Sequence, residues 1–392
     1  MHIPFCRTKC AYCDFFSRPA GGVPDEYIDA VCAQARCVAR SRSCAWRTIY
    51  IGGGTPSLLS AAQLERLCTE LLRSGAGGSS PDEFTVELNP DDITREKLRA
   101  LERSGVDRIS IGVQSLHDAA LRCIGRRCTR ASTRAALDMV RGVWQRRLNL
   151  DVISGLPAQS DSEFRASLLD VIAYNPDHIS LYALTLEEGT RLARAVFAGE
   201  IPYDEDAADA QWIAGRDILT RSGFTQYEIS NFARGGSVSV HNSLYWSLHD
   251  YVGVGAGACG TFYGQALRYT NTTDIAGYTR CWLGECPERI GLWPADKERL
   301  DARAVEFEFL MLGLRTRAGV NSADYAARFG AVYGVPLERR LGIDTERGLF
   351  SRLMAEGRAG RRPAASGTDY FLTESGMLFL DRYLEALCAH IA

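Results

Sequence analysis

Three thiols, Cys6, Cys10 and Cys13, fall in a CxxxCxxC spacing at the start of a 392-residue chain. Such a loop can ligate three irons of a [4Fe-4S] cubane and leave the fourth iron without a protein ligand. That open iron can chelate the amino and carboxylate groups of a small molecule. A structural zinc ion asks for four ligands, and His2 is a poor fourth because Pro4 restricts its approach. Redox-active thiols act in pairs, which leaves the third sulfur without a role. The spacing therefore points to a cluster.

Downstream stands Gly52-Gly53-Gly54-Thr55-Pro56. Consecutive glycines let a backbone approach a ligand closely and present its N–H and C=O groups. A tight turn after a strand needs one glycine rather than three, so the run reads as a ligand-binding loop. It lacks the lysine and spacing of a phosphate loop, which disfavours a nucleoside triphosphate.

These loops need a scaffold. Short β-rich runs at 48–51, 84–88, 108–112, 148–153, 178–184 and 226–229 alternate with amphipathic stretches at 61–73, 95–104, 133–145 and 162–173. Strands alternating with helices predict βα units and a parallel sheet. Six units fit an α/β fold of the partial (β/α)6 TIM-like barrel kind, with a doubly wound open sheet as the alternative. Asp25 and Ser60 are candidate helix N-caps. A strand should precede the cysteine loop, yet only residues 1–4 are present to form it, so a truncated first strand is expected. From 263 to 299 the rhythm breaks, and Tyr278, Trp282 and Trp293 read as an irregular connection. Helices at 302–314, 322–329, 349–355 and 374–387, with a short strand at 370–372, predict a C-terminal helical, winged-helix-like module. The expected organisation is a barrel over 1–235, a connecting segment over 236–300 and the module over 301–392.

The chain is 24% charged and 46% hydrophobic with a net charge of -3. That balance is ordinary for a globular protein and gives no basic footprint for nucleic acid. No apolar run approaches the ~20 residues of a membrane span, and no charged segment followed by an apolar core opens the chain. A cytoplasmic location is expected. Thirteen scattered cysteines, an odd number, argue against a disulfide framework.

Further motifs sharpen the reading. His2-Ile3-Pro4-Phe5-Cys6 opens the cysteine loop. Glu87-Leu88-Asn89-Pro90, Ile109-Ser110-Ile111-Gly112-Val113-Gln114-Ser115, Asp151-Val152-Ile153-Ser154-Gly155-Leu156-Pro157 and His178-Ile179-Ser180-Leu181-Tyr182 each fall at the C-terminal end of an expected strand. Barrel enzymes assemble their sites at such ends. On these motifs and the glycine run, the chain resembles the radical-SAM coproporphyrinogen-dehydrogenase-like family over almost its whole length. The resemblance implies a barrel of the radical-SAM type, a [4Fe-4S] cluster on Cys6, Cys10 and Cys13, and S-adenosylmethionine (SAM) on the open iron. It implies that Gly53, Gly54 and Thr55 meet the methionine portion of SAM, that Glu87, Gln114, Arg126 and Asp151 meet its polar groups, and that Ala183 lines the pocket. Carboxylates and amides suit ribose hydroxyls and an ammonium, and a guanidinium suits a carboxylate. The family's SAM-contacting tyrosine would fall before Met1, outside this chain.

Two branches of the family compete. The decarboxylating porphyrinogen dehydrogenases carry a further cysteine two residues after the last ligand, whereas here Cys13 is followed by Asp14-Phe15. His241-Asn242-Ser243-Leu244-Tyr245-Trp246 matches the His-Asn-x-x-Tyr-Trp motif of the haem-chaperone branch. Its spacing alone favours a structural loop over a haem site, because a lone histidine is commonly structural. An exposed imidazole beside aromatic rings can ligate haem iron and stack on the macrocycle; alternatively, His241 caps a helix while Tyr245 and Trp246 enter the core. The resemblance favours haem. Cys259 and Cys128 stand where the family usually shows histidine, and Cys259 is an alternative haem ligand. The expectation is a haem chaperone that binds haem, the cluster and SAM, draws electrons from a donor and hands haem to an acceptor protein. Nucleic acid is not expected as a partner, and membrane contact is expected only through the acceptor. The alternatives are an oxygen-independent coproporphyrinogen III oxidase and a zinc-stabilised interaction protein.

Overall fold

A computed structural model describes residues 1–75, 80–284 and 295–391. The chain opens with β1 (His2–Ile3), β2 (Phe5–Cys6) and, past the cysteine loop, β3 (Arg18–Pro19). Helices and strands then alternate: α1 (Asp25–Arg42), β4 (Thr48–Gly53), α2 (Ala61–Ser74), β5 (Glu83–Leu88), α3 (Arg95–Arg103), β6 (Arg108–Gln114), α4 (Asp118–Cys123), α5 (Arg130–Val143), β7 (Arg147–Ser154), α6 (Asp161–Ala173), β8 (His178–Ala183), α7 (Arg191–Phe197) and α8 (Glu205–Arg221). The sheet runs β1-β4-β5-β6-β7-β8 with every neighbouring pair parallel. The mainly parallel α/β sheet is the one expected.

Its sixth parallel strand is a different one. The 226–229 segment forms β9 (Thr225–Gln226), which pairs antiparallel with β10 (Asn231–Ala233), itself antiparallel to β8. Only a few residues separate these two strands. A parallel return needs a crossover of a dozen or more residues, so a hairpin is what the chain can make there. The sixth parallel strand is β1. It is two residues long, and partners on both sides secure it: Gly52 N–H donates to Met1 O at 3.0 Å, and His2 N–H donates to Val254 O at 2.8 Å.

Period-two alternation explains the barrel wall. Ile49 and Ile51, Phe84 and Val86, Ile109 and Ile111, Leu148 and Leu150, and Ile179 and Leu181 form one buried apolar face. The intervening residues are polar: Tyr50, Thr85, Glu87, Ser110, Asn149, Asp151, His178 and Ser180. Cross-strand register brings them side by side, with Glu87 beside Ser110, Gly112 beside Asp151 and Asn149 beside His178. A barrel strand has one face under the helices and one facing inward, so this barrel has a polar interior. Ser60 closes a full capping box with Gln63 at the start of α2, a feature whose loss costs about 1 kcal/mol. Asp25 is not a cap: Pro24 holds that position, and Asp25 is the first helical residue. Proline suits the place because its fixed φ leads into a helix.

The 263–299 stretch is ordered where it is described. After α9 (Val240–Trp246), the strands β11 (Cys259–Phe262), β12 (Leu267–Asn271) and β13 (Ala295–Arg299) make an antiparallel sheet, with α10 (Ile275–Leu283) in between. Tyr278 and Trp282 are buried on α10 as part of the barrel's hydrophobic core. They are core residues rather than loop residues, while Trp293 lies outside the described residues.

A second core gathers α11 (Ala302–Leu314), β14 (Val320–Asn321), α12 (Ser322–Tyr333), α13 (Leu337–Arg340), α14 (Leu349–Ala355), β15 (Ala359–Pro363), β16 (Thr368–Leu372), α15 (Glu374–Met377) and α16 (Leu380–Ile391). Strands β14, β16 and β15 form an antiparallel wing. The closing helix expected over 374–387 is broken into two between Met377 and Leu380. Among the described residues, no helix is long and apolar enough to cross a membrane.

Candidate functional site

The cysteine loop is pinned at its neck and at its tip. At the neck, Arg18 N–H donates to Pro4 O and Ala20 N–H to Cys6 O, each at 2.8 Å. At the tip, Ala11 N–H donates to Ile124 O at 2.8 Å and Leu192 N–H to Ala11 O at 2.9 Å. The loop is thus laid across the barrel mouth from β1 to α7. Arg7 Nε donates to the buried Asp92 at 2.7 Å, tying it down on a third side.

Between this loop and the C-terminal strand ends lies a cavity of about 810 Å³. Cys6, Cys10, Cys13, Gly53, Gly54, Thr55, Glu87, Gln114, Arg126, Asp151 and Ala183 all line it. Burial holds the Cys13 thiol above its ordinary range, and the nearby Cys10 and Cys6 thiols push the same way. Thr55 Oγ1 donates to Cys6 Sγ at 3.3 Å. Among the described residues, no three His, Cys, Asp or Glu side chains converge as a single metal ion requires. A cubane instead places each of three thiolates on a different iron.

The strand-end residues are half-buried, and two of them hold buried polar atoms without partners. Glu87 accepts from Tyr50 Oη at 2.6 Å and from Gly53 N–H at 3.2 Å, yet burial pushes its carboxyl up to about 7. Asp151 accepts from Ser110 Oγ at 3.0 Å and Asn149 Nδ2 at 2.7 Å, and burial raises it too. Arg126 donates to Asn89 Oδ1 at 2.8 Å and to the Gly112 carbonyl, while its buried Nε has no partner. Gln114 has a φ of 64° at a register shift in β6, and its buried Oε1 has no partner either. Left-handed backbone at a non-glycine residue, together with orphaned polar atoms on residues that line a cavity, marks a place prepared for a ligand. These donors and acceptors fit a zwitterionic amino acid joined to a nucleoside, so the site fits a cluster with SAM.

The glycine run has a further cause that its sequence did not reveal. A Cβ on Gly52 would meet the Glu87 carboxylate at 2.8 Å, and one on Gly53, at φ +112°, would meet the His2 ring at 1.8 Å. One on Gly54 would meet Phe5 O at 2.7 Å. The three glycines let β4 lie against the strand that feeds the cysteine loop, and Gly53 and Gly54 still face the cavity. His2 is engaged elsewhere, its Nδ1 on Ala256 O at 2.7 Å. Sequence reading missed Tyr12, Asn89, Ser110 and Tyr182, which also line the cavity. Asn89, Ser110 and Tyr182 sat inside the motifs already noted, so alternation along their strands was the available signal.

His241 lies at the other end of the barrel. Its Nδ1 is 2.8 Å from Oγ1 of Thr48, the first residue of β4, about 17 Å along the strand from Gly53. Its ring stacks on Tyr50 at 4.9 Å and 21° and meets Tyr245 edge-on at 4.9 Å. Burial pushes its pKa down to about 3, leaving a neutral imidazole at physiological pH. With Tyr50, Leu244, Tyr245 and Tyr251 it lines a second cavity of about 370 Å³. The helix cap belongs to Ser239, not to His241. Trp246 points away from this cavity and stacks under Arg315 at 4.4 Å. Cys259 is hydrogen-bonded with Tyr251, beside the cavity rather than in its lining, and Cys128 is buried.

Comparison with known proteins agrees with this geometry. Residues 1–171 match the Radical SAM superfamily. The chain is 35% identical to the heme chaperone HemW of Lactococcus lactis over 84% of both chains. It is 34% identical to the Escherichia coli heme chaperone HemW over 99% of this chain and 97% of that one. It is also 35% identical to the mouse mitochondrial radical S-adenosyl methionine domain-containing protein 1, over 82% and 73% of the two chains. In structure it is similar to E. coli coproporphyrinogen III oxidase HemN, with a TM-score of 0.75 and 20% identity over 98% and 88% of the chains, a likeness of fold. Fold and site together define a radical-SAM protein, whose class binds a [4Fe-4S] cluster and SAM. Within that class, the chain belongs to the HemW family.

Proposed function

We propose that this protein is a haem chaperone in which cluster and SAM occupy one end of the barrel and haem the other. The observation that carries it is the second cavity, where the neutral His241 imidazole lies among Tyr50, Tyr245 and Tyr251. A neutral imidazole is the form that ligates iron. Aromatic faces suit a flat macrocycle. Cys6, Cys10 and Cys13 hold the cluster. Arg126 takes the SAM carboxylate, Glu87, Gln114 and Asp151 take its other polar groups, Gly53, Gly54 and Thr55 receive the methionine portion, and Ala183 lines the wall. When bound, the cluster and SAM supply one-electron reductive cleavage of a sulfonium. The protein's own part is to orient the ligand with these groups and to keep the polar strand ends out of bulk water. It works in the cytoplasm, takes electrons from a donor protein and passes haem to an acceptor.

Titrating wild type and His241→Ala with haemin tests the reading. The variant should lose the wild-type absorption spectrum and bind about tenfold or more weakly; identical curves would remove His241 as ligand. The oxidase reading is tested separately with coproporphyrinogen III, SAM and a reductant. Clean conversion to protoporphyrinogen would overturn a chaperone-only role.

A further inference from the structure

The barrel interior joins the two cavities by two polar routes. The first is a single side chain. Tyr50 lays its ring on His241 and donates its hydroxyl to Glu87 at 2.6 Å, so one residue touches both sites. The second is a chain of hydrogen bonds that all run one way. Ser239 N–H, at the cap of α9, donates to Tyr227 Oη at 3.2 Å, and Tyr227 O–H donates to His178 Nε2 at 2.8 Å. His178 Nδ1–H donates to Asn149 Oδ1 at 2.5 Å, and Asn149 Nδ2 donates to Asp151 at 2.7 Å. Burial pushes the His178 pKa well down, which keeps it neutral, with one nitrogen donating and the other accepting. Both carboxylates of the SAM-type cavity are therefore connected to the helix that carries His241. Glu83 fixes that helix to the barrel: fully buried, it accepts from Val240 N–H at 2.9 Å, His241 N–H at 3.2 Å and Ser239 Oγ at 3.1 Å. A shift of Tyr50 or Tyr227 is thus felt by α9 and not lost in slack.

We infer that Tyr50 and His178 are positioning residues that couple the two ends, so that a ligand donating to Glu87 and Asp151 tightens binding of a tetrapyrrole at His241. The inference rests on the two-site reading above. A carboxylate is a stronger acceptor than a carboxylic acid. Donors on a cavity ligand favour the ionised form of Glu87, and the ionised form holds Tyr50 more firmly against the imidazole. Linkage then requires the reverse effect to be equal, so haemin must tighten SAM by the same factor.

The test is haemin titration of cluster-reconstituted protein with and without saturating SAM, followed by SAM titration with and without haemin. Wild type should show matching shifts of about fivefold or more, in the range usual for coupled sites. Tyr50→Phe keeps the ring stack and loses the Glu87 bond, and His178→Phe interrupts the second route. Each should reduce the coupling factor towards one, read as the ratio of affinities with and without the other ligand so that any change in either single affinity cancels. Wild-type curves that ignore the other ligand overturn the coupling and leave both sites standing. Haemin binding unaffected by His241→Ala overturns the two-site reading, and the coupling with it. Unchanged coupling in both Tyr50→Phe and His178→Phe removes these residues as its carriers.

Discussion

The two ends of the barrel are built from the same strands and prepared for different guests. At the C-terminal ends, Gln114 Oε1 and Arg126 Nε are buried without partners, and burial raises the carboxyls of Glu87 and Asp151 above their ordinary range. At the N-terminal ends, Glu83 is fully buried, but it is saturated by backbone and side-chain donors. What remains open there is an imidazole and a set of rings. One end asks for a polar, charged ligand and the other for a flat aromatic one. Burial alone does not make a site; burial with unmet hydrogen-bonding capacity does.

The contrast can be broken in several places. Removing Cys6, Cys10 or Cys13 as alanine should take iron from about four per chain to nearly none after anaerobic reconstitution. Metal analysis reads this directly, and zinc in place of iron would contradict the cluster. Gly53→Ala sets a methyl group into the His2 ring at an unfavourable φ. Overpacking of that kind costs about 1–3 kcal/mol, visible as a lower melting temperature and poor cluster retention, with haemin binding to the remaining folded protein unchanged. Arg126→Leu removes a charged hydrogen-bond donor worth about 1.5–3 kcal/mol, so SAM should bind roughly ten- to a hundredfold more weakly by calorimetry.

The smallest effect is on pH. Glu87 is raised from 4.5 to about 7 by burial, so the folded protein holds this proton more tightly than the unfolded chain. Stability relative to Glu87→Gln should therefore fall as pH rises through that window, and level off above about 7. SAM, by donating to the carboxylate, should release a proton on binding near neutral pH, detectable in buffers of different ionisation enthalpy. No proton release would remove Glu87 as a SAM contact.

Much of the upper site was legible in the sequence because its signals are local. A cysteine spacing, a glycine run and polar residues at strand ends need no knowledge of distant contacts. The C-terminal ends of successive parallel strands meet by topology alone. Three things were hidden. The direction of the strand at 226 depended on how short the link to Asn231 is. The order of the 263–299 stretch depended on Tyr278 meeting Gln34 of α1, more than two hundred residues away in sequence, and Gly255 in the loop before Cys259. The position of His241 was the least legible. Nothing near it announces that Thr48 and Tyr50 will be its neighbours, and so nothing placed it at the opposite end from the cysteines.

Separation of the two ends is the central claim, and haemin binding to a Cys6→Ala, Cys10→Ala, Cys13→Ala protein tests it most directly. With no cluster, and without SAM, that protein should titrate with haemin as the wild type does, while His241→Ala keeps its iron and loses the haemin spectrum. Loss of haemin binding along with the cysteines would place both ligands at one end and contradict the account.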